Sequence, residues 1–354
     1  MNAKMKLFTV GPVEMDVETL RIGGCALPYF RTSEFSSVMT DVERNIKEFA
    51  GTSESSKVAV LTASGTAAME AAVINVFTSA DSLLIVNGGS FGERFVKICR
   101  IHRIPYEEIK LGFGECLTAE HFNVYDEQHF TGLLVNIHET STGQLYPIDL
   151  ISDFVKRNGL ILMVDAISSL FADRYMMDEW GIDVTIFSSQ KSLALPPGLS
   201  FVIANEKTAQ KIKKTVVPSL YFRLIDYFND MERGQTPYTP AVGIVLQLHA
   251  KLNKMADAGV NAVVTRTVEL ALDFRKRIAG TSFLLPQYPL SNAITPIICP
   301  KNNAVDIFLA AKNNHALMMT PSGGDLKDRL LRIGHLGNLT IEDNVCLEKY
   351  LRSI

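Results

Sequence analysis

Between residues 57 and 204, short apolar runs alternate with stretches whose apolar residues recur at helical spacing. The runs 57–61, 82–86, 132–137, 160–164, 183–187 and 201–204, with a shorter one at 106–109, are nearly continuous in apolar residues. That is the pattern of strands covered on both faces. The segments between them read as helices over 67–77, 94–101 and 147 to about 157, with a polar helical region over 115–130. Upstream, Phe35, Val38, Met39, Val42, Ile46 and Phe49 mark one face of a helix over 35–50. Alternating strands and helices predict an α/β fold with a mostly parallel sheet in the larger domain. After residue 205 the pattern changes. A charged helical region with scattered aromatics (205–235) is followed by a loop pinned by Pro237 and Pro240, then by a long helical stretch over 241–279 broken near Gly259. Strands at 294–299 and 330–334, a helix at 305–314 and a final helix from 341 predict a smaller α+β C-terminal domain. The expected division is an N-terminal arm (1–20) packing with the small domain, a large domain (21–245) and a small domain (246–354).

The chain has 354 residues, 47% hydrophobic and 21% charged, the profile of an ordinary globular protein. A net charge of -3 offers no basis for binding nucleic acid or an anionic membrane. The opening residues do not read as a signal peptide, and no apolar run approaches the roughly 18 residues of a spanning helix. The five cysteines are scattered without a CxxC pair, so neither a disulfide framework nor a zinc site is indicated. A reduced, cytoplasmic setting is expected.

Chemistry-bearing residues gather where the apolar runs end. The run 183–187 leads into Ser188-Ser189-Gln190-Lys191, ahead of the rigid Pro196-Pro197-Gly198 turn. The run 57–61 leads into Ser64-Gly65-Thr66 and an alanine-rich helix, which places free backbone N–H groups and a positive helix end beside two hydroxyls. Phe91 follows 82–86, Thr140 and Thr142 follow 132–137, and Asp165 closes 160–164. Each alone has an ordinary reading: an exposed lysine, a helix N-cap, a core aromatic, a turn cap. In an open parallel sheet, however, all fall at the carboxyl edge, where such sheets bind ligands. A phosphate cradle, a stacking aromatic, a buried acid and a nucleophilic lysine together describe a pyridoxal 5'-phosphate site. The lysine forms a Schiff base, and the acid keeps the pyridine nitrogen protonated.

The chain resembles the class V, fold-type I aminotransferases that use pyridoxal phosphate. It is similar to the alanine–glyoxylate and serine–pyruvate enzymes and to 2-aminoethylphosphonate–pyruvate aminotransferase. The matching motifs are Thr9-Val10-Gly11-Pro12, Ser64-Gly65-Thr66, Glu139-Thr140-Ser141-Thr142-Gly143, Val164-Asp165-Ala166-Ile167-Ser168-Ser169, Ser189-Gln190-Lys191, Pro196-Pro197-Gly198 and Arg332-Ile333-Gly334. They span almost the whole chain in family order. The resemblance implies that Lys191 holds the cofactor, Asp165 pairs with its ring nitrogen, Phe91 stacks on the ring, and Ser64, Gly65, Thr66 and Gln190 contact the phosphate. It places Thr140 or Thr142 near the ring oxygen and Ser168 beside the ring. Arg332 binds the substrate carboxylate, and Gly11 approaches the substrate through its backbone. It also implies a homodimer in which Thr239, with Thr236, completes the partner's site, and a ping-pong exchange between a small amino acid and an oxo acid. Alanine or serine with glyoxylate or pyruvate is the first expectation, and the aminophosphonate the alternative, with Arg31 or Arg223 as extra cation. Tyr29 and Arg31 are the candidates for the far end of the substrate. A desulfurase-type lyase would require a mobile reactive cysteine. Cys299, between Ile298 and Pro300 in an expected strand, is poorly placed for that. A non-catalytic scaffold would have lost Lys191 or Asp165, and both are present.

Overall fold

Strand alternation divides the central sheet between two cores in the computed structural model, which describes residues 5–354; the first four residues of the expected arm lie outside it. Val58 and Val60 face one core while Ala59 and Leu61 face the other, and Leu84/Val86 against Leu83/Ile85 repeat the division. The first core is covered by the helices Ser33–Ala50, Ile148–Asn158 and Val242–Ala258. The second is covered by Gly65–Val76, Gly92–Ile101, Glu206–Lys214 and Leu224–Met231.

The sheet has seven strands, in the order Lys57–Leu61, Ser200–Ala204, Val184–Ser188, Ile161–Asp165, Gly132–Asn136, Leu83–Asn87, Tyr106–Lys110. All run parallel except Ser200–Ala204, which is antiparallel to both neighbours. The exception has a local cause. The chain returns from Ser188 to Ser200 through the Pro-Pro-Gly turn, too short a connection for a parallel crossover. Ser189 secures that turn: its N–H donates to Leu199 O at 3.0 Å and its hydroxyl to Pro196 O at 2.7 Å. In the register Asn136 lies opposite Asp165, and Asp165 opposite Ile186, so the functional strand ends are level.

A three-stranded antiparallel sheet, Ile294–Ile298, Leu330–Gly334 and Thr320–Pro321, has a third core that includes Phe8, Leu270, Phe274, Ile297 and Leu331. The helices Val242–Ala258 and Val260–Ile278 lead to it, separated at Gly259, whose φ of 83° no helix accommodates. The N-terminal arm pairs Lys6–Leu7 with Leu317–Met318 in parallel, and Gly334 N–H donates to Phe8 O at 2.9 Å.

Two helical expectations are corrected. Over 115–130 only Ala119–Asn123 is helical, because Leu117 and Phe122 are the buried core residues there, with Tyr125 and Phe130 only partly buried against it, and no continuous apolar stripe remains to bury. The 205–235 region is two helices, Glu206–Lys214 and Leu224–Met231, interrupted around Pro218.

Candidate active site

Lys191 follows the Val184–Ser188 strand with only 7% of its surface exposed, and its Nζ donates to the carbonyl of Val10 on the N-terminal arm. The arm can lie this close because of Gly11. Its φ is 114°, and a Cβ there would stand 2.6 Å from Lys191 Cδ. Burial, reinforced by the charge of Arg332 and offset by Asp165, pulls the Lys191 ammonium down to about 8. The neutral amine is therefore still the minor form at pH 7 but far more abundant than for a free lysine.

Asp165 ends the adjacent strand and accepts from Ile167 N–H at 2.8 Å. Burial raises its carboxyl to about 6, a shift that the Ile167 bond, Arg94 and Lys191 hold in check. Ser64 caps the Gly65–Val76 helix, its side chain accepting from Ala67 N–H at 3.3 Å. The Gly65 and Thr66 N–H groups, at the first two helical positions, have no intrahelical acceptor. A Cβ on Gly65 would lie 2.6 Å from Ile167 Cδ1 and 3.2 Å from Ser188 Oγ, and that buried hydroxyl has no partner of its own. Phe91 is half-buried at the start of the Gly92–Ile101 helix, with the Arg94 guanidinium 4.7 Å from its ring centre.

Thr140 donates through Oγ1 to Ser168 Oγ at 2.9 Å, which joins two of the expected site residues. Thr142 Oγ1 donates to Glu139 O at 3.3 Å, and its own carbonyl accepts from Tyr288 Oη at 2.7 Å. Arg332, 9% exposed, projects from the Leu330–Gly334 strand and donates to Thr140 O at 3.1 Å and Pro321 O at 2.9 Å. Its Nε is buried without a partner, and desolvation lowers the guanidinium to about 10. A buried cation bonded only to carbonyls and carrying a spare donor is well suited to a carboxylate. Gln190 is half-buried beside Lys191, its backbone carbonyl 3.1 Å from the Cβ position of Gly11.

Several expected residues do not join this cluster in one chain. Thr236 donates its hydroxyl to Tyr238 O at 2.7 Å, and Thr239 is exposed. Arg31 braces their loop, donating to Gln235 Oε1 and Thr236 O, each at 3.0 Å. Arg223 pairs with Asp226 at 3.1 Å, and Tyr29 is 68% exposed.

Glu139, within a motif quoted above, and His138, just before it, are further participants without an assigned role. Glu139 is completely buried and accepts from Gly92 N–H at 3.1 Å and Asn136 Nδ2 at 2.8 Å. His138 is buried, with Nδ1 3.4 Å from Ser168 O and Nε2 unpartnered; burial pulls it down to about 3, so it is neutral. The available signal was an acid and a histidine directly after an apolar strand, where an exposed charge would otherwise be expected. The whole donor set suits a ligand with an amine-reactive carbonyl, a basic ring nitrogen and a phosphate. Lys191 would meet the first, Asp165 the second, and the helix N-terminus at Gly65 the third.

A family model described as Aminotransferase class-V matches residues 29–295. The soluble hydrogenase small subunit of a Synechococcus species is 31% identical, over 95% of this chain and 89% of that protein. The L-aspartate–glyoxylate aminotransferase of Paracoccus denitrificans is 26% identical, over 96% of this chain and 88% of its own. Among solved structures, an alanine–glyoxylate aminotransferase from a Nostoc species superposes with a TM-score of 0.91 at 22% identity, covering 100% of this chain and 96% of that one. This last similarity is one of fold.

Proposed function

The chain belongs to the class-V aminotransferase family, and from that premise we propose that it uses pyridoxal phosphate to move the amino group of a small amino acid, of the alanine or serine type, to a 2-oxo acid such as glyoxylate or pyruvate. The observation that carries this reading is Lys191: a buried amine, pulled down to about 8, between a carboxylate at the next strand end and an arginine with a free donor.

The cofactor would be held by Lys191 through its aldehyde carbon, by Asp165 at the ring nitrogen, by the Gly65 and Thr66 amides with Ser64 and Gln190 at the phosphate, and by Phe91 on the ring face. When bound, pyridoxal phosphate supplies an electron-withdrawing ring that stabilises negative charge at the substrate Cα. The protein's residues do the rest. Arg332 fixes the substrate carboxylate and thereby turns the Cα–H bond toward Lys191. The Lys191 amine, once the substrate amino group has taken its place, would accept the Cα proton and give it up again on the far side of the substrate nitrogen. With its pKa near 8, it can act in both directions. Asp165 remains an anion because positive groups face it, and the buried Thr140–Ser168 pair helps to exclude water from the ring. The two halves of the exchange share one site, so ping-pong kinetics follow. In the proposed homodimer, the Thr236–Thr239 loop, stiffened by Arg31, would complete the partner's phosphate site.

The names of relatives support glyoxylate as acceptor: aspartate–, serine– and alanine–glyoxylate aminotransferases are among them. The hydrogenase name belongs to the Synechococcus protein; Lys191 and Asp165 at this sheet edge, together with Arg332, favour amino transfer. Arg31 and Arg223, the cations available for a phosphonate, are engaged at Gln235 and Asp226, which weighs against the aminophosphonate. Cys299 is buried and its thiol is pushed up to about 11, which weighs against desulfurase chemistry. Among the described residues no helix is long and apolar enough to cross a membrane. The test is to mix the pyridoxal phosphate-loaded protein with a panel of amino acids and follow the cofactor absorbance. Conversion to the pyridoxamine form by alanine or serine, reversed by glyoxylate, is expected. A Lys191→Ala protein that still transaminates would sink the assignment.

A further inference from the structure

Glu139 is a fully enclosed carboxylate, yet among the described residues no Lys, Arg or His forms an ion pair with it. Hydrogen bonds take the place of a cation. Oε1 accepts from Ser141 N–H at 3.0 Å, Phe91 N–H at 3.4 Å and the Ser141 hydroxyl, while Oε2 accepts from Gly92 N–H at 3.1 Å and Asn136 Nδ2 at 2.8 Å. Two of these donors open the Gly92–Ile101 helix, whose N-cap residue, Phe91, provides no capping side chain. The cap therefore comes from another strand, and it sets a negative charge against the positive helix end. The loop closes tightly on that carboxylate. A Cβ on Gly89 would stand 2.6 Å from Glu139 Cδ, and Ser90 N–H donates to Ser141 Oγ at 3.2 Å. From the opposite side, Arg332 donates to Thr140 O and Ser322 to Ser141 O. Residues 139–141 thus stand between the aromatic expected to stack on the cofactor and the arginine expected to hold the substrate.

We propose that Glu139 is a positioning residue for the cofactor. Through the Phe91 and Gly92 amides it fixes the stacking ring, and by spending its lone pairs on those amides, Ser141 and Asn136 it leaves Arg332 to the substrate carboxylate. The inference rests on the pyridoxal phosphate reading above.

The experiment titrates pyridoxal phosphate into the cofactor-free protein and follows visible circular dichroism for wild type, Glu139→Gln, Phe91→Leu and the double variant. Thermal unfolding of each cofactor-free form checks folding. A glutamine amide accepts through one oxygen only, so one side of the clasp is lost. The expected result is a rise in the cofactor Kd of roughly tenfold, about the worth of one charge-assisted hydrogen bond, with no rise in the amino-acid KM at saturating cofactor. The double variant should bind little more weakly than the weaker single one, because both changes act through the same ring. Glu139→Gln binding within twofold of wild type, or a loss that adds fully to that of Phe91→Leu, overturns the proposal. Should Glu139→Gln not fold, Ser141→Ala carries the same test: a weakened cofactor affinity supports the proposal, and an unchanged one refutes it. Failure of the wild type to bind pyridoxal phosphate would instead count against the proposed function.

Discussion

Replacing Lys191 with methionine should destroy amino transfer and yet stabilise the cofactor-free protein at neutral pH. The lysine is buried, and its ammonium is lowered from 10.5 to about 8, chiefly by desolvation. At about 1.4 kcal/mol per pKa unit, holding the charged form in that site costs about 3 kcal/mol. Methionine fills a similar channel without the charge but forfeits the bond to Val10 O, worth about 1 kcal/mol. The net gain should be about 2 kcal/mol at pH 7. The pH dependence gives the sign independently. Between pH 8 and 10.5 the unfolded chain keeps a proton on this lysine that the folded chain has released. The contribution of Lys191 to stability therefore rises with pH across that window, and its cost is fully present below it. Urea denaturation of both cofactor-free proteins from pH 7 to 10.5 measures this. The advantage of the variant should shrink as pH rises. A variant equally or less stable at pH 7, with a constant difference across the range, would refute the electrostatic account of this site.

Gly11→Ala should lose about 1–3 kcal/mol of stability from backbone strain at positive φ, and its Cβ, 2.6 Å from Lys191 Cδ, should misplace the amine enough to lower kcat roughly a hundredfold; denaturation and steady-state rates test the two effects. Asp165→Asn removes a carboxyl raised from 3.8 to about 6. The wild type loses stability as pH climbs through that interval, so the cofactor-free variant should be about 3 kcal/mol more stable at pH 7 and no more stable below pH 4, while amino transfer falls sharply. Arg332→Gln should lower kcat/KM for the amino donor roughly 100-fold or more by removing a charge-assisted carboxylate contact and leave the cofactor Kd unchanged, which a pyridoxal phosphate titration would confirm. Arg332→Lys should recover only part of that loss, since an ammonium lacks the planar fork.

Much of this protein follows from local pattern. The apolar runs defined the seven central strands to within a residue or two because alternation and length are written locally, and Gly259 marked its helix break because no helix tolerates its backbone. The placement of Ser64, Phe91, Thr140, Asp165 and Lys191 at one edge followed from parallel strands alone. The 115–130 region misled because its polar residues have helical propensity without a face to bury. Tertiary structure decided what those strand ends meet. Val10 became the acceptor for Lys191 because the arm is anchored on the far sheet at Leu317–Met318, some 125 residues from the lysine it covers. Arg31, a candidate for the substrate, instead braces Gln235 and Thr236. Glu139 became the cap of a helix that precedes it in the chain, because register sets the 132–136 strand beside 83–87. Periodicity reports which way a side chain points from its own element. Strand order and register determine which distant donors surround it, and in a buried site those donors decide whether a charge is a cost or a tool.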